Sequence, residues 1–308
     1  MIKKSLLKKI CLAVIAIVVT MLLYSFPKKD DVKDKKIINN SICKTAIYTL
    51  DKYKYVARIN INTKSNNIVD LVKELVEYLT INTKNYLPIN FFSIIPENTK
   101  LLNVDFKNGI LKLNFSEELL NIDEEYEEKL IESLTYSLTE IENVDGIMIF
   151  INGELLTNMP KSKKYIPNVL TRSYGINKEY ELNSYKKTKK VNVYYIANSD
   201  NMKYYIPVTK VMNESKEKIE IIIDELQSTP INKTNLKSYL AMNTKLINYE
   251  ILEDSITLSF DDNIYTGNND KLLEEVTYTI SLSIKDTYNI SNTIFRVNNK
   301  YVETKSLN

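Results

Sequence analysis

The chain has 308 residues, 44% of them apolar, with 41 Lys/Arg against 39 Asp/Glu, which suits a globular protein of one to three domains and excludes a disordered one. It has no histidine and only two cysteines, Cys11 and Cys43, which excludes Ser-His-Asp and Cys-His catalysis and structural zinc of the usual kind. Its five glycines form neither a GxGxxG nor a GxxxxGK[ST] pattern, so no phosphate-cradling loop is expected.

The first element is apolar. Lys3, Lys4, Lys8 and Lys9 precede an uncharged run, residues 10–26, which Pro27 ends. Its length fits a single transmembrane helix, extended by snorkelling lysines at both ends. Leu23-Tyr24-Ser25 is a poor match to a small-residue cleavage site, so an uncleaved anchor is expected over a signal peptide. Residues 1–9 then form a cytoplasmic tail, and the rest of the chain lies outside. Residues 27–43 are polar and without periodicity, a tether. Cys43 is read as a small apolar filler near a strand.

Two matching bodies follow, 44–156 and 190–302. Each opens with strand-like alternation, at Tyr48, Tyr53 and Tyr55-Val56 in the first and at Val191–Tyr194 and Tyr204–Ile206 in the second. A helix comes next in each. Ile68, Leu71, Val72, Leu75 and Leu79 share one face, as do Ile219, Ile222, Ile223 and Leu226. Asn66 or Asn67 is the expected cap of the first and Ser215 of the second, and Pro230 ends the second helical region. A hairpin follows, and its wording is nearly repeated: NTKLLNVDFKNGILKLNF at 98–115 and NTKLINYEILEDSITLSF at 243–260. Leu111, Leu113 and Phe115, and their counterparts Ile256, Leu258 and Phe260, predict one buried face. A second helix then carries Leu130, Ile131, Leu134, Leu138 and Ile141, or Leu272, Leu273, Val276, Ile280 and Ile284. The first four of each set align at a spacing of 142, against 145 for the hairpins. This predicts a three-residue deletion between hairpin and helix in the second copy. Each copy closes on a strand, at 147–151 and 293–297.

The order is therefore β-α-β-β-α-β twice, an α+β class with two helices on one face of a small mixed sheet. The copies are acidic, with 11 basic against 18 acidic residues in 44–156 and 12 against 15 in 190–302. The linker 157–189 is basic, with 8 against 2, and is expected to be a solvated connection, the alternatives being contact with anionic lipid or wall polymer or a bridge between the two acidic bodies. Acidic bodies speak against nucleic-acid binding. Residues 303–308 form a tail.

Several phrases resemble the GerM domain (GerMN) family of spore-forming bacteria. Ile95-Pro96-Glu97-Asn98-Thr99-Lys100-Leu101 is similar to its I-P-x-G-T-x-L, and Leu111 to Leu119 is similar to its V-x-V-x-L-S-x-x-F. Tyr278-Thr279-Ile280 and Tyr136-Ser137-Leu138 look like its Y-T-L helix core. Leu226 to Pro230 looks like L-L-x-G-P, with Thr229 where glycine is usual. Residues 166–177, IPNVLTRSYGIN, resemble the family's connector between tandem copies. The resemblance covers 44–302. It implies a ring-building-like α/β module, a non-enzymatic extracytoplasmic role in sporulation or germination, and partners among envelope channel proteins, with homo- or hetero-oligomers and no cofactor. It places such a protein between mother cell and forespore. Family lipoproteins carry a lipidated cysteine, where this chain has an apolar run, and the second copy lacks the I-P before Asn243.

Paired acids set an alternative. Glu117-Glu118, Asp123-Glu124-Glu125 and Asp261-Asp262 supply the carboxylates that a wall glycosidase needs, although their places after a strand and at a helix N-terminus suit caps better. They match no calcium-loop pattern. No catalytic, cofactor-binding or metal-binding residue is assigned. A ligand-sensing or wall-binding accessory is the other non-enzymatic reading.

Overall fold

The computed structural model describes residues 43–65, 67–184, 186–199, 202–228, 235–265 and 271–307. The anchor expected over 10–26, Cys11 and Pro230 lie outside the described residues. No helix among those described is long and apolar enough to cross a membrane.

Each copy begins with an antiparallel hairpin, β1 (Cys43–Asp51) with β2 (Val56–Thr63), and β9 (Thr188–Ser199) with β10 (Met202–Asn213). Cys43 opens β1 with its side chain exposed. The first helix of each copy is α1 (Ile68–Leu79) or α3 (Lys218–Gln227). Asn67 caps α1 by accepting from the Asp70 amide. The cap of α3 is Glu217, not Ser215: Glu217 and Glu220 form a capping box, while the Ser215 hydroxyl turns back to Glu214.

The repeated phrase forms β4 (Leu101–Lys107) with β5 (Ile110–Phe115), and β11 (Leu246–Ile251) with β12 (Ser255–Phe260). Asn108 and Gly109 both take positive φ, the turn that a two-residue hairpin favours. A Cβ on Gly109 would overlap the Asp145 carboxylate at 2.2 Å. Both hairpins carry a bulge at the same place, between Leu101 and Asn103 and between Leu246 and Asn248. The second helices are α2 (Glu127–Leu138) and α4 (Glu274–Tyr288), and the strands after them, β6 (Gly146–Ile151) and β13 (Asn292–Val297), lie parallel to β5 and β12. A further strand closes each sheet, β7 (Glu154–Leu155) and β14 (Lys300–Ser306).

The strands of each copy are divided between two sheets. One four-stranded sheet per copy holds the repeated hairpin. The opening hairpins of both copies meet instead in one shared sheet, ordered β3 (Phe91–Phe92), β1, β2, β10, β8 (Glu179–Glu181), with β9 on the far side of β10. The second helix of each copy touches both its hairpin and its four-stranded sheet. In α2 every residue from Leu130 to Leu138 is buried, as a helix between two layers must be.

That burial explains the polar residues in these helices. The outward edge of β1, which β3 covers only at Leu50 and Asp51, is met around Tyr48 by serines. The Tyr48 amide donates to Ser137 Oγ at 2.8 Å, and Ser133 Oγ donates to the Tyr48 carbonyl at 2.5 Å. In the second copy the Tyr194 amide donates to Ser283 Oγ at 2.9 Å, and the Asn192 amide to Thr287 Oγ1 at 3.0 Å. Small hydroxyl residues let the helix approach the strand and satisfy its free backbone groups.

These bonds fix the equivalence of the copies. Ser137 answers Ser283 and Tyr48 answers Tyr194, a spacing of 146 that also relates β6 to β13. The expected spacing of 142 is thus corrected by one helical turn, and with it the deletion. A shift of four residues leaves an apolar stripe in phase, so periodicity could not detect it.

The linker is not a solvated connection. Met159, Ile166, Leu170 and Ile176 are all buried in the continuous core that runs through both copies. Leu170 exchanges two 2.8 Å backbone hydrogen bonds with Ile147, and Gly146 leaves room for that crossing: a Cβ there would lie 2.9 Å from Val169 and 3.0 Å from the Leu170 carbonyl. The Asn177 side chain accepts from the Val56 amide at 2.9 Å and donates to the Val56 and Pro207 carbonyls at 2.8 and 2.7 Å, so one amide stitches β2 to β10.

Removing the hydroxyl in Ser137→Ala or Ser283→Ala leaves a buried strand amide without its partner. Each is expected to cost about 1–3 kcal/mol in urea unfolding. Because sheet and core are shared, both copies should still unfold in one transition; two separate transitions would show that they are independent domains.

Candidate functional site: the seam between the copies and its clefts

At the centre of the shared sheet, equivalent residues touch: Tyr48 Oη and Tyr194 Oη lie 2.9 Å apart. Contact of a residue with its own equivalent is what a two-fold relation produces. The linker breaks this symmetry by inserting Arg172. Its guanidinium reaches Asp286 of α4 with one nitrogen and Glu140, just past α2, with the other. It also donates to the Tyr136 carbonyl in the last turn of α2 at 3.3 Å, where a cation suits the helix dipole. The Tyr136 and Tyr48 rings lie against it, with centroids 4.9 and 5.5 Å away. Tyr194 Oη donates to the other Asp286 oxygen at 2.5 Å. Arg58 of β2 reaches Glu140 at 3.1 Å and donates to Tyr278 Oη at 3.1 Å; Lys285 reaches Glu140 at 3.5 Å.

Burial alone would raise the Glu140 carboxyl, but Arg172, Arg58 and Lys285 together hold it down at about 2. Burial pushes Asp286 up against the pull of Arg172 and Tyr194. Burial also raises the Tyr48 and Tyr194 hydroxyls, which therefore stay neutral and act as hydrogen-bonding groups.

The paired acids do not converge. Glu117 and Glu118 start a short 3-10 turn after β5, and the hydrogen bond from Ser116 lowers the Glu118 carboxyl, the reverse of what a general acid requires. Asp123 pairs with Lys161 at 3.4 Å and Glu125 with Lys54 at 2.9 Å. Asp261 accepts from the Lys245 amide at 2.9 Å, the role of Ser116 on the Lys100 amide in the first copy, and Asp262 accepts from Asn298 at 2.6 Å. Among the described residues no three acidic or cysteine side chains gather as a metal would need.

Two clefts open on the first copy. One, of about 530 Å³, is apolar inside: Ile81, Phe92, Ile94, Pro96, Ile122 and Tyr126 line it, with Lys52, Lys54, Glu97 and Asp123 around them. Phe92 and Ile81 are 52% and 40% exposed. The I-P-E-N phrase forms part of its wall. The other, of about 460 Å³, lies beside the seam and is lined by Lys44, Arg58, Asn60, Asn67, Glu140 and Asn143 among others.

The seam roles of Arg58, Arg172 and Asn177 are not legible in the sequence, although Arg172 and Asn177 stand in the connector phrase. One signal was present: arginine occurs at only three positions, 58, 172 and 296, in a chain whose other 38 basic residues are lysine. Where lysine is so strongly preferred, a retained arginine marks a need for a planar fork.

The Germane family model, described as sporulation and spore germination, matches residues 44–157 and 192–303. The chain is 30% identical over 263 residues to the spore germination protein GerM of Bacillus subtilis (strain 168), covering 82% of this chain and 71% of that protein. It is also similar to the solved tandem GerMN domains of the sporulation protein GerM from Bacillus subtilis, with a TM-score of 0.79 and 28% identity over 87% of this chain and 98% of that one.

Glu140→Gln removes the carboxylate shared by three buried or half-buried cations. A loss of about 3–5 kcal/mol at pH 7 is expected from denaturant unfolding. The Glu140 carboxyl titrates lower in the folded chain than its ordinary 4.5, so its contribution is complete above about 4.5 and disappears as pH falls toward about 2. Asp286, raised on folding, contributes with the opposite sign. Unfolding free energy measured between pH 5 and 2 should therefore fall less in Glu140→Gln than in the parent chain.

Proposed function

Because the chain belongs to the Germane family of sporulation and spore germination proteins, we propose that it acts without catalysis, as an extracytoplasmic assembly protein of the sporulating cell envelope. Residues 10–26 hold it to the membrane, and the fused pair of copies presents a fixed surface to envelope channel proteins, in a ring-forming or hetero-oligomeric complex. The observation that carries this reading is the contrast between buried and open features. The strongest charge constellation is spent inside the seam on joining the copies, while large apolar side chains stand open at the cleft of the first copy. Exposed aromatic and aliphatic residues around a concave site are what protein partners anchor on. The acids after β5 and before α2 are engaged in turns and ion pairs, which favours a structural role over hydrolysis.

Phe92→Asp and Ile81→Asp change that cleft without touching the core. In sporulating cells each is expected to lower heat-resistant spore yield at least tenfold and to remove envelope proteins crosslinked to the full chain, while the purified protein keeps its circular dichroism. Wild-type spore yield and an unchanged crosslinking pattern in the double variant would reject this cleft as the docking surface. A normal spore yield after deletion of the whole chain would reject the sporulation role itself.

A further inference from the structure

The cleft beside the seam lies where the two copies part. Helix α4 runs to Tyr288, whereas α2 stops at Leu138, the counterpart of Ile284, so the last turn of α4 has no helical equivalent in the first copy. At the spacing of 146 set by the serines, Ala46 answers Asn192 and Ile141 answers Thr287. In the second copy Thr287 Oγ1 accepts from the Asn192 amide at 3.0 Å and donates to the Asn192 carbonyl at 3.5 Å. Ile141 has no hydroxyl to offer Ala46. The direction of the Ala46 groups follows from the strand. Tyr48 turns its amide and carbonyl away from β2, toward Ser137 and Ser133, and the pairing with β2 is regular from Cys43 to Leu50. Backbone groups alternate along a strand, so those of Lys44 and Ala46 point to the same outward edge. Among the described residues β3 covers that edge only at Leu50 and Asp51, and no group meets it at Lys44 or Ala46. Lys44, Thr45 and Ala46 all line the cleft; neighbouring side chains point to opposite faces, so the cleft meets β1 along its edge. An open strand edge is satisfied by the backbone of another strand.

We propose that this edge takes up an extended peptide segment of another protein, added as a strand beside β1 at Lys44–Ala46. An extended backbone presents N–H and C=O groups at the strand spacing, and so supplies to Ala46 what Thr287 supplies to Asn192. Ile68, Leu71 and Ile141 give the segment an apolar wall, and the charged residues that line the cleft, Lys44, Arg58, Glu140 and Glu142, sum to zero. The segment that fits is therefore uncharged, with branched apolar residues. The open stretch is about 10 Å long, the length of three strand residues. Its inner end is set at Tyr48, where Ser133 and Ser137 fill the edge. The part of this chain ahead of Cys43 does not suit the place. A two-residue turn at Asn39-Asn40 would set Lys33-Asp34-Lys35-Lys36 beside residues 43–46, charged side chains against an apolar wall. This edge is separate from the cleft at Phe92, and either can serve a partner while the other does not.

The test is nuclear magnetic resonance of the full chain in detergent, labelled with nitrogen-15 at alanine, of which there are six. The amide of Ala57, opposite Thr49 within the β1–β2 ladder, is the internal reference. Without a peptide, the Ala46 amide is expected to exchange with solvent at least tenfold faster than that of Ala57. The probe is N-acetyl-TVTVT amide, and its control is the same peptide methylated at every backbone nitrogen. The probe should give a saturable shift at Ala46 and slow its exchange, and the methylated peptide should do neither. Ile141→Thr installs the hydroxyl of the second copy. It should slow Ala46 exchange in the absence of peptide and weaken probe binding at least tenfold, while the methylated control needs no variant to fold. The proposal is overturned by an Ala46 amide as protected as that of Ala57 in the free chain, which would show the edge filled from within. It is equally overturned by the absence of a saturable shift, by equal binding of the methylated peptide, or by unchanged affinity in an Ile141→Thr chain that keeps its circular dichroism.

Discussion

A single guanidinium, that of Arg172, holds the molecule together at its centre. It comes from neither copy but from the chain between them, and it binds the end of α2 through Glu140 and the Tyr136 carbonyl, and α4 through Asp286. Charge-assisted hydrogen bonds from the two arms of one planar guanidinium to two carboxylates fix direction as well as distance. Once they are made, the two second helices have a set separation. So do the hairpins they cover through Ser137 and Ser283, and the Tyr48–Tyr194 contact between those hairpins. Ion pairs this deeply buried contribute little net stability over a well-packed apolar substitute, but breaking one side of them is expensive. Their service here is to specify one arrangement of two copies whose apolar faces would otherwise tolerate several.

The parts of this fold legible in the sequence are those that depend on near neighbours. The two helices of each copy, the repeated hairpin and its buried face all follow from side-chain periodicity, and Asn67 from capping chemistry. What stayed hidden depends on distant contacts or on degenerate signals. The equivalence of Ser137 with Ser283 was missed because a one-turn shift preserves the stripe. The bulges at Leu102 and Ile247 alter backbone pairing while leaving composition unchanged. The linker looked like a solvated strip because its charged residues outnumber the four apolar ones that enter the core, and only the packing of both copies shows which residues turn inward. The seam required Arg58 and Arg172 to meet residues 82 and 114 positions away, at Glu140 and Asp286, which no local pattern records.

The two copies have shared and divided their duties. Strand edges that face the interior are closed by serine and threonine hydroxyls in both. The outer features differ: the first copy carries Phe92, Ile81 and the proline-bearing phrase, whereas the second extends its sheet with the seven-residue strand β14, where the first has the two-residue β7. Lys300 and Lys305 on β14 are the kind of residue that discourages pairing with another chain at an open edge. Apolar side chains thus stand open on the first copy, while the long edge strand of the second carries lysines.

The Tyr48–Tyr194 contact carries one more consequence. Two separate single-copy molecules meeting through this face would make the same hydroxyl pair on their dyad, and their pairing would depend on how much protein the cell contained. Joining them through residues 157–189 makes the encounter intramolecular, with an effective concentration on the order of millimolar. Dilution no longer opposes the pairing, so the assembled surface persists however few molecules are present.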